Sequence, residues 1–398
     1  MHIQVKYLAG LPVHFLSVFL LITMYAGAWD IARPLGIVPL ALILVFIAFV
    51  IGLSPTKIKL VGIYRPYLFF FLIICFYFFA SYANLLDIDD KMFFEKGFIL
   101  RQGVGFFVFP LIAMFFTLLF YYNSWLFASR GIIIWLIITC YLLASVLGFL
   151  FSNFYSNPWE NFAFYTLNNA ELIIVFLSVF LIFHFTKSKL IQFSLLTLLL
   201  LVTTSSQSSI ALILAIVFLF FPSKLVLTGF VLALSVAVPL SLLFPLELFE
   251  LDPNTGLRSM FWLSGLQDFI HTWGVGIGFG TEALQAKYYA LYRELAILDV
   301  DSQFERFMTT GMHNTFIDLL QRTGIPGFVA FCWIIFSVIS GLTKHQLSSF
   351  DAWVVCVLAL SLSVNVALSI NFIFGTCLLI GWLQARLLVI NERESPAK

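Results

Sequence analysis

The sequence predicts an all-α polytopic membrane protein of about 12 transmembrane helices, with a helical loop on one face between the ninth and tenth. Three observations predict it. Of 398 residues, 62% are hydrophobic and only 10% charged, against roughly 25% charged in an ordinary soluble domain. Mean hydropathy is +1.04, and apolar runs close to the roughly 20 residues needed to cross a bilayer recur along the chain. The charges of the short connections also segregate by sign.

Because lipid offers the backbone no hydrogen-bond partners, runs of this length must be helices. The expected spans are 11–28, 35–53, 67–84, 103–121, 131–151, 170–186, 190–205, 208–222, 225–245, 315–341, 351–369 and 371–390. Lys6, the first apolar run and Ala26-Gly27-Ala28 imitate a signal peptide with a small-residue cleavage site, but many more spans follow, so the run is read as an uncleaved first helix. With a cytoplasmic N-terminus, Lys6, Lys57, Lys59, Arg65, Arg130, Lys187, Lys189, Lys224, Lys344, Arg386, Arg393 and Lys398 fall inside, with only Asp351, Glu392 and Glu394 as acids. Asp87, Asp89, Asp90, Glu95, Glu160 and the acids of 247–312 fall outside. The positive-inside bias therefore places both termini in the cytoplasm.

This divides the chain into spans one to nine (1–246), a large outer loop (247–312), and spans ten to twelve with a short tail (313–398). Apolar residues recur at helical spacing within the loop, at Leu257, Phe261, Leu263, Leu266, Phe269 and Ile270, then at Leu284, Tyr288, Leu291 and Leu295. Two amphipathic helices are expected there. They either lie in the membrane interface or wall a cleft.

A net charge of +1 shows no bias toward nucleic acid. The five cysteines (Cys75, Cys140, Cys332, Cys356, Cys377) sit in apolar runs without CxxC or Cys/His spacing, and the six histidines show no paired motif. No disulfide framework, metal site or cofactor is expected.

The residues with chemical potential lie at the outer helix ends. His313-Asn314 is followed after nine residues by Gly324, then Pro326 and Gly327. Thr315 and Asp318 have capping-box spacing, which starts a helix here and puts His313 at its N-terminus. The positive end of the helix dipole disfavours imidazolium, so a neutral His313 suits general-base work; an ordinary interfacial histidine is the competing reading. Arg258 precedes the run Gly274-Val275-Gly276-Ile277-Gly278-Phe279-Gly280, which lacks nucleotide-fingerprint spacing but allows a phosphate to approach the backbone, or simply forms a flexible turn. A guanidinium suits phosphate through its planar, permanently charged fork. Arg101, beside the fourth span, and Arg306 are further outward cations. Asn168-Asn169 with Glu171, the stretch Thr203 to Ser209 including Ser206 and Gln207, and Asn365 with Asn371 are polar clusters at outward ends, suited to function or to helix pairing.

In span number, loop position, the 256–280 segment and the His-Asn, nine residues, Gly pattern of 313–324, the chain resembles the O-antigen polymerase and ligase superfamily of bacterial envelope polysaccharide synthesis. Where that family has Ser-Arg-Gly at the eighth span, this chain has Ser206-Gln207-Ser208; where an acid is common before the glycine, it has Arg322. The resemblance implies a GT-C-like fold in the bacterial inner membrane and metal-independent, inverting glycosyl transfer at the periplasmic face. It implies undecaprenyl-pyrophosphate-linked oligosaccharide as substrate. His313 and Arg258 would be catalytic, and Arg101, Arg306, Asn314, Ser206, Gln207 and Asn169 would bind substrate, with Arg101 or Arg306 standing in for the missing arginine. Partners would be membrane lipids and a polysaccharide chain-length regulator, with no nucleic acid. A polymerase is preferred to a ligase that passes finished chains to lipid A core, because polymerases are the more diverse group and the motifs here are degenerate. A flippase or transporter would show inverted repeats and midplane charges, a peptidoglycan polymerase an acidic catalytic loop residue; neither pattern is found, and a non-catalytic scaffold is the remaining alternative.

Overall fold

The computed structural model describes residues 57–86, 96–122, 172, 175–203, 206–295, 311–345, 347–364, 367–368 and 373–394. The expected spans 11–28, 35–53 and 131–151 lie outside the described residues. Among the described residues 84% are helical and none forms a strand, which establishes the all-α class.

The helices follow the apolar runs in order: α1 Lys57–Tyr82, α2 Lys96–Tyr122, α3 Val175–Phe185, α4 Lys189–Val202, α5 Ser206–Phe220 and α6 Ser223–Leu243. The loop contributes α7 Pro245–Leu251, α8 Pro253–His271 and α9 Ala286–Leu295, and the chain closes with α10 Thr315–Thr343, α11 Ser349–Val364 and α12 Ile373–Glu394. Four stretches among the described residues are long and apolar enough to cross a membrane: Tyr64–Tyr82, Lys96–Leu118, Ser223–Leu243 and Thr315–Thr343. Helices α3, α4, α5, α11 and the Gly375–Asn391 part of α12 are shorter apolar helices. The molecule is a membrane protein. Its apolar surface is consistent with that solvent: Leu68, Leu72, Phe76 and Phe79 of α1 and Val329, Trp333 and Phe336 of α10 are exposed, and no residue of α6 is buried.

The bundle core is aromatic. Phe176, Phe180, Phe350, Trp353 and Trp382 interlock around α3, α11 and α12, and Phe70, Phe109 and Phe331 join α1, α2 and α10. Edge-to-face and tilted ring pairs of this kind add to area burial. Helices α2 and α12 approach closely at Gly381, where a Cβ would stand 2.4 Å from Phe116 Cβ and 2.8 Å from Thr117 N. The indole of Trp353 donates to Ala211 O at 2.7 Å, tying α11 to α5.

The bundle has two chemically different ends. At one, the α3–α4 turn carries Lys187 and Lys189, and the α5–α6 turn meets the start of α11 through Ser223 and Ser349, 3.2 Å apart. Exposed Lys187, Lys189, Lys224 and Lys344 gather there. The buried Asp351 is satisfied by Trp382 Nε1 at 2.9 Å, Ser348 Oγ at 2.7 Å and Arg386 at 3.3 Å. At the other end, α7, α8 and α9 form a cap, with exposed acids Glu247, Glu250 and Asp252. The cap has its own small core of Phe261, Trp262, Ala283, Leu284, Met312 and Ile317, separate from the bundle core.

Candidate functional site

The cap is fastened to the bundle where α10 breaks. The expected span 315–341 is continuous in sequence, but Gly324 has φ 58° and ψ −157°, which divides α10 into a short outer piece and a longer inner one. Pro326 explains part of the break. Having no N–H, it leaves the carbonyl of Arg322 without its helical donor. The glycine run supplies replacements: Gly278 N donates to Arg322 O at 2.9 Å and Ile277 N to Gln321 O at 2.7 Å, while Ile325 N turns to Gly274 O at 2.9 Å. Only glycine permits so close an approach. A Cβ on Gly324 would meet Gly274 O at 2.1 Å, and one on Gly276 would meet Gly324 N at 2.5 Å.

The rest of this strap is equally committed. Gly276 N donates to Thr272 Oγ1, Phe279 N to Ser81 Oγ and Gly280 N to Gln102 Oε1, at 2.8–3.0 Å. Val275 O accepts from the Tyr77 hydroxyl, and Thr281 O from Gln102 Nε2 at 2.7 Å. The amides from Gly274 to Gly280 are therefore all hydrogen-bonded within the protein. The strap is a structural latch rather than a phosphate cradle, because a bound phosphate would need those same donors.

Beneath the strap lies a buried polar layer. Arg322 is 2% exposed and donates to Gly278 O, Thr281 O and Thr281 Oγ1 at 3.0–3.3 Å. Asp318, Asp268 and Glu282, each buried, surround it closely enough to act electrostatically. Gln321 Nε2 and Gln285 Nε2 each donate to an Asp268 oxygen at 2.6 Å, and Gln321 Nε2 also reaches Ala283 O at 2.9 Å. A buried charge survives only when paired and hydrogen-bonded, and here one guanidinium answers three carboxyl groups. Asp318 stands out in the sequence only by its capping-box spacing and Arg322 only as a departure from the family pattern, while Asp268, Glu282, Gln285 and Gln321 lie in no motif. The available signal was Arg322 itself, a cation inside an expected span.

His313 precedes α10, half-buried, with φ 51°. Asn314, not Thr315, caps α10: its Oδ1 accepts from Phe316 N at 3.1 Å and Ile317 N at 3.2 Å. The capping-box reading is corrected accordingly, because an Asn at N-cap can accept from orphan amides of the first turn, here the two of Phe316 and Ile317. Thr315 Oγ1 instead accepts from Ala367 N at 3.1 Å. The imidazole packs edge-on against Phe261, ring centroids 6.2 Å apart. Arg258 lies one turn before Phe261 on α8, so the two candidate catalytic residues lie at the same end of the molecule.

Arg258 is half-buried. Its Nη1 donates to Val364 O, the last residue of α11, at 3.4 Å, and its Nε is buried without a hydrogen-bond partner among the described residues. Burial lowers its pKa from the ordinary arginine value, with the charge of Asp252 partly opposing that shift. It remains a cation at neutral pH. Arg258 and Thr315 thus both hold the segment that leaves α11, one through Val364 and the other through Ala367.

The other expected site residues are scattered. Ser206 and Gln207 open α5, whose start faces the capped end because α5 and α11 run antiparallel through the Ala211–Trp353 and Ser223–Ser349 contacts. Arg101 lies in the second turn of α2, one residue before Gln102 of the strap contact. Arg306 and Asn169 lie outside the described residues. Among the described residues no cluster of His, Cys, Asp and Glu is arranged to hold a metal ion. Compared with known protein families, curated proteins and solved structures, the chain has no match in any of the three.

Proposed function

We propose that this protein is a glycosyltransferase that polymerises undecaprenyl-pyrophosphate-linked oligosaccharide repeats at the periplasmic face of a bacterial inner membrane. One observation carries the reading: a half-buried guanidinium, Arg258, with an unused Nε, held one helical turn from the ring on which His313 packs. A cation kept in such a place without an acid bonded to it suits an anionic ligand, since partial desolvation strengthens its interaction with a diphosphate. His313 supplies a base. It takes the proton of the acceptor hydroxyl, the resulting oxygen attacks the anomeric carbon, and the anomeric C–O bond to the pyrophosphate breaks with inversion. Arg258 stabilises the charge on the departing lipid pyrophosphate.

Exposed Lys187, Lys189, Lys224 and Lys344 at one end, against exposed Glu247, Glu250 and Asp252 beside Lys96 and Lys287 at the capped end, support a cytoplasmic lysine-rich end and a periplasmic cap. About 12 spans in a GT-C-like arrangement, with both termini cytoplasmic, complete the proposed topology. Substrate contacts from Arg101, Arg306, Asn314, Ser206, Gln207 and Asn169 belong to the same proposal, as does a chain-length regulator as partner.

Deleting the gene and resolving the lipopolysaccharide ladder tests it. Core carrying a single repeat is the polymerase outcome. An unmodified core, with chains stranded on the lipid carrier, assigns the ligase reaction instead, and an unchanged ladder overturns both.

A further inference from the structure

Trp273, just past the end of α8, combines two unfavourable features. Its backbone has φ 52°, a region that a bulky side chain enters seldom and at a cost. Its side chain is 93% exposed, so packing within the protein offsets little of that cost. Ile270, Val275 and Ile325 are exposed beside it, and Ile325 is tied there by its amide bond to Gly274 O. This patch continues a longer apolar surface. Ile325 heads a stripe of exposed residues along α10, followed by Val329, Trp333 and Phe336, three or four residues apart and therefore on one helix face. Trp333 packs edge-on against Phe69 of α1, ring centroids 6.0 Å apart, beside the exposed Leu68, Leu72 and Phe76 of that helix. Stripes of this kind on a membrane protein face lipid. Residues 325–343 rise about 28 Å as a helix, close to the roughly 30 Å of a hydrocarbon core, and exposed Lys344 follows immediately. The other end of that length is the break at Gly324. Exposed Tyr82 closes α1 near the same level, because Tyr77 and Ser81 bond Val275 and Phe279 of the strap, and Lys96 Nζ lies 4.9 Å over its ring.

We infer that the edge of the hydrocarbon on the capped side runs through the break in α10, and that Trp273, Ile270 and Val275 anchor the cap in the lipid headgroup boundary there. Tryptophan suits that boundary, since its ring is apolar while its N–H can bond water or a headgroup. The occupant of the patch is therefore lipid, and the exposure of Trp273 is exposure to the bilayer interface. The boundary also settles the position of Arg322. The outer piece of α10, residues 315–323, stands beyond the hydrocarbon, so the buried guanidinium and its carboxyl neighbours escape the cost of charge at membrane depth. None of this depends on the proposed reaction.

The test is fluorine NMR of the full-length protein carrying fluorotryptophan, reconstituted in nanodiscs of phosphatidylcholine and phosphatidylglycerol. Among the nine tryptophans, the Trp273 and Trp333 resonances are identified by their disappearance in Trp273→Phe and Trp333→Phe; Trp273→Tyr serves for the first if Trp273→Phe does not fold. Three relaxation agents are compared: a lipid with a nitroxide near its headgroup, the same lipid with the nitroxide at the chain end, and a water-soluble gadolinium chelate. Trp273 is expected to lose most intensity with the headgroup-proximal nitroxide. Trp333, about 12 Å beyond Ile325 along α10, should lose most with the chain-end nitroxide. Any other order for Trp273 overturns the inference. Greatest loss with the gadolinium chelate assigns the patch to water or to a water-borne partner, and greatest loss with the chain-end nitroxide puts the break of α10 inside the hydrocarbon. Either failure leaves the proposed function standing, because that reading is decided by the polysaccharide ladder.

Discussion

Replacing Gly324 with alanine perturbs the joint on which the cap depends. Two costs arise. The backbone at φ 58°, ψ −157° belongs to a region essentially restricted to glycine, and forcing a side-chain-bearing residue into it costs about 1–3 kcal/mol. The new Cβ would also stand 2.1 Å from Gly274 O and 2.3 Å from Val275 O, so the strap must move away. That movement breaks the three main-chain bonds joining 274–278 to 321–325, each worth about 0.5–1.5 kcal/mol. The combined loss is about 3–7 kcal/mol, a large part of the 5–15 kcal/mol that stabilises a typical domain. The assay is thermal unfolding in detergent, paired with limited proteolysis of the 274–285 segment. Gly229→Ala is the matched control: the same substitution in α6, where nothing lies within 4 Å of the added carbon, should be neutral or mildly stabilising because alanine is the better helix former. Gly324→Ala melting with wild type and resisting protease equally would refute the idea that the strap needs the break.

Alanine at His313 or Arg258 should each lower polysaccharide extension by on the order of 100-fold or more, with membrane-inserted protein at wild-type amounts; normal surface banding in both variants would end the assigned roles. Arg258→Lys should retain only part of the activity, because a lysine keeps the charge and loses the planar fork. Gly381→Leu should separate α2 from α12, given a Cβ position 2.4 Å from Phe116 Cβ, with a loss of about 1–3 kcal/mol or more read as a fall in melting temperature. Trp273→Ala, at a side chain 93% exposed, should change detergent stability by no more than about 0.5 kcal/mol.

Much of the candidate site was legible residue by residue. His313 and Asn314 drew notice through their spacing to Gly324 and their place at a helix start, and Arg258 through its position ahead of the glycine run. Asp268, Gln321 and Glu282 were not legible, because an isolated polar residue in a loop or near a helix end is most often solvated, and only the fold decides that these three are buried around Arg322. Read from the sequence, the tenth span runs straight through Gly324 and Pro326, and the glycine run is either a phosphate approach or a flexible turn. What neither stretch reveals alone is that each completes the other's hydrogen bonding.

Sequence alone determined the solvent class, the helical state of the apolar runs and the existence of a helical cap, because hydropathy and its 3.6-residue period are local properties that need no knowledge of distant contacts. Tertiary structure alone decided that α10 breaks at Gly324, that the glycine strap spends its amides on that break, that Asn314 rather than Thr315 caps the helix, and that His313 takes a left-handed backbone. Each of these depends on pairing between segments tens of residues apart, where a carbonyl orphaned by one stretch is satisfied by an amide of another. Such reciprocity is a property of the packed chain and leaves no periodic trace along it.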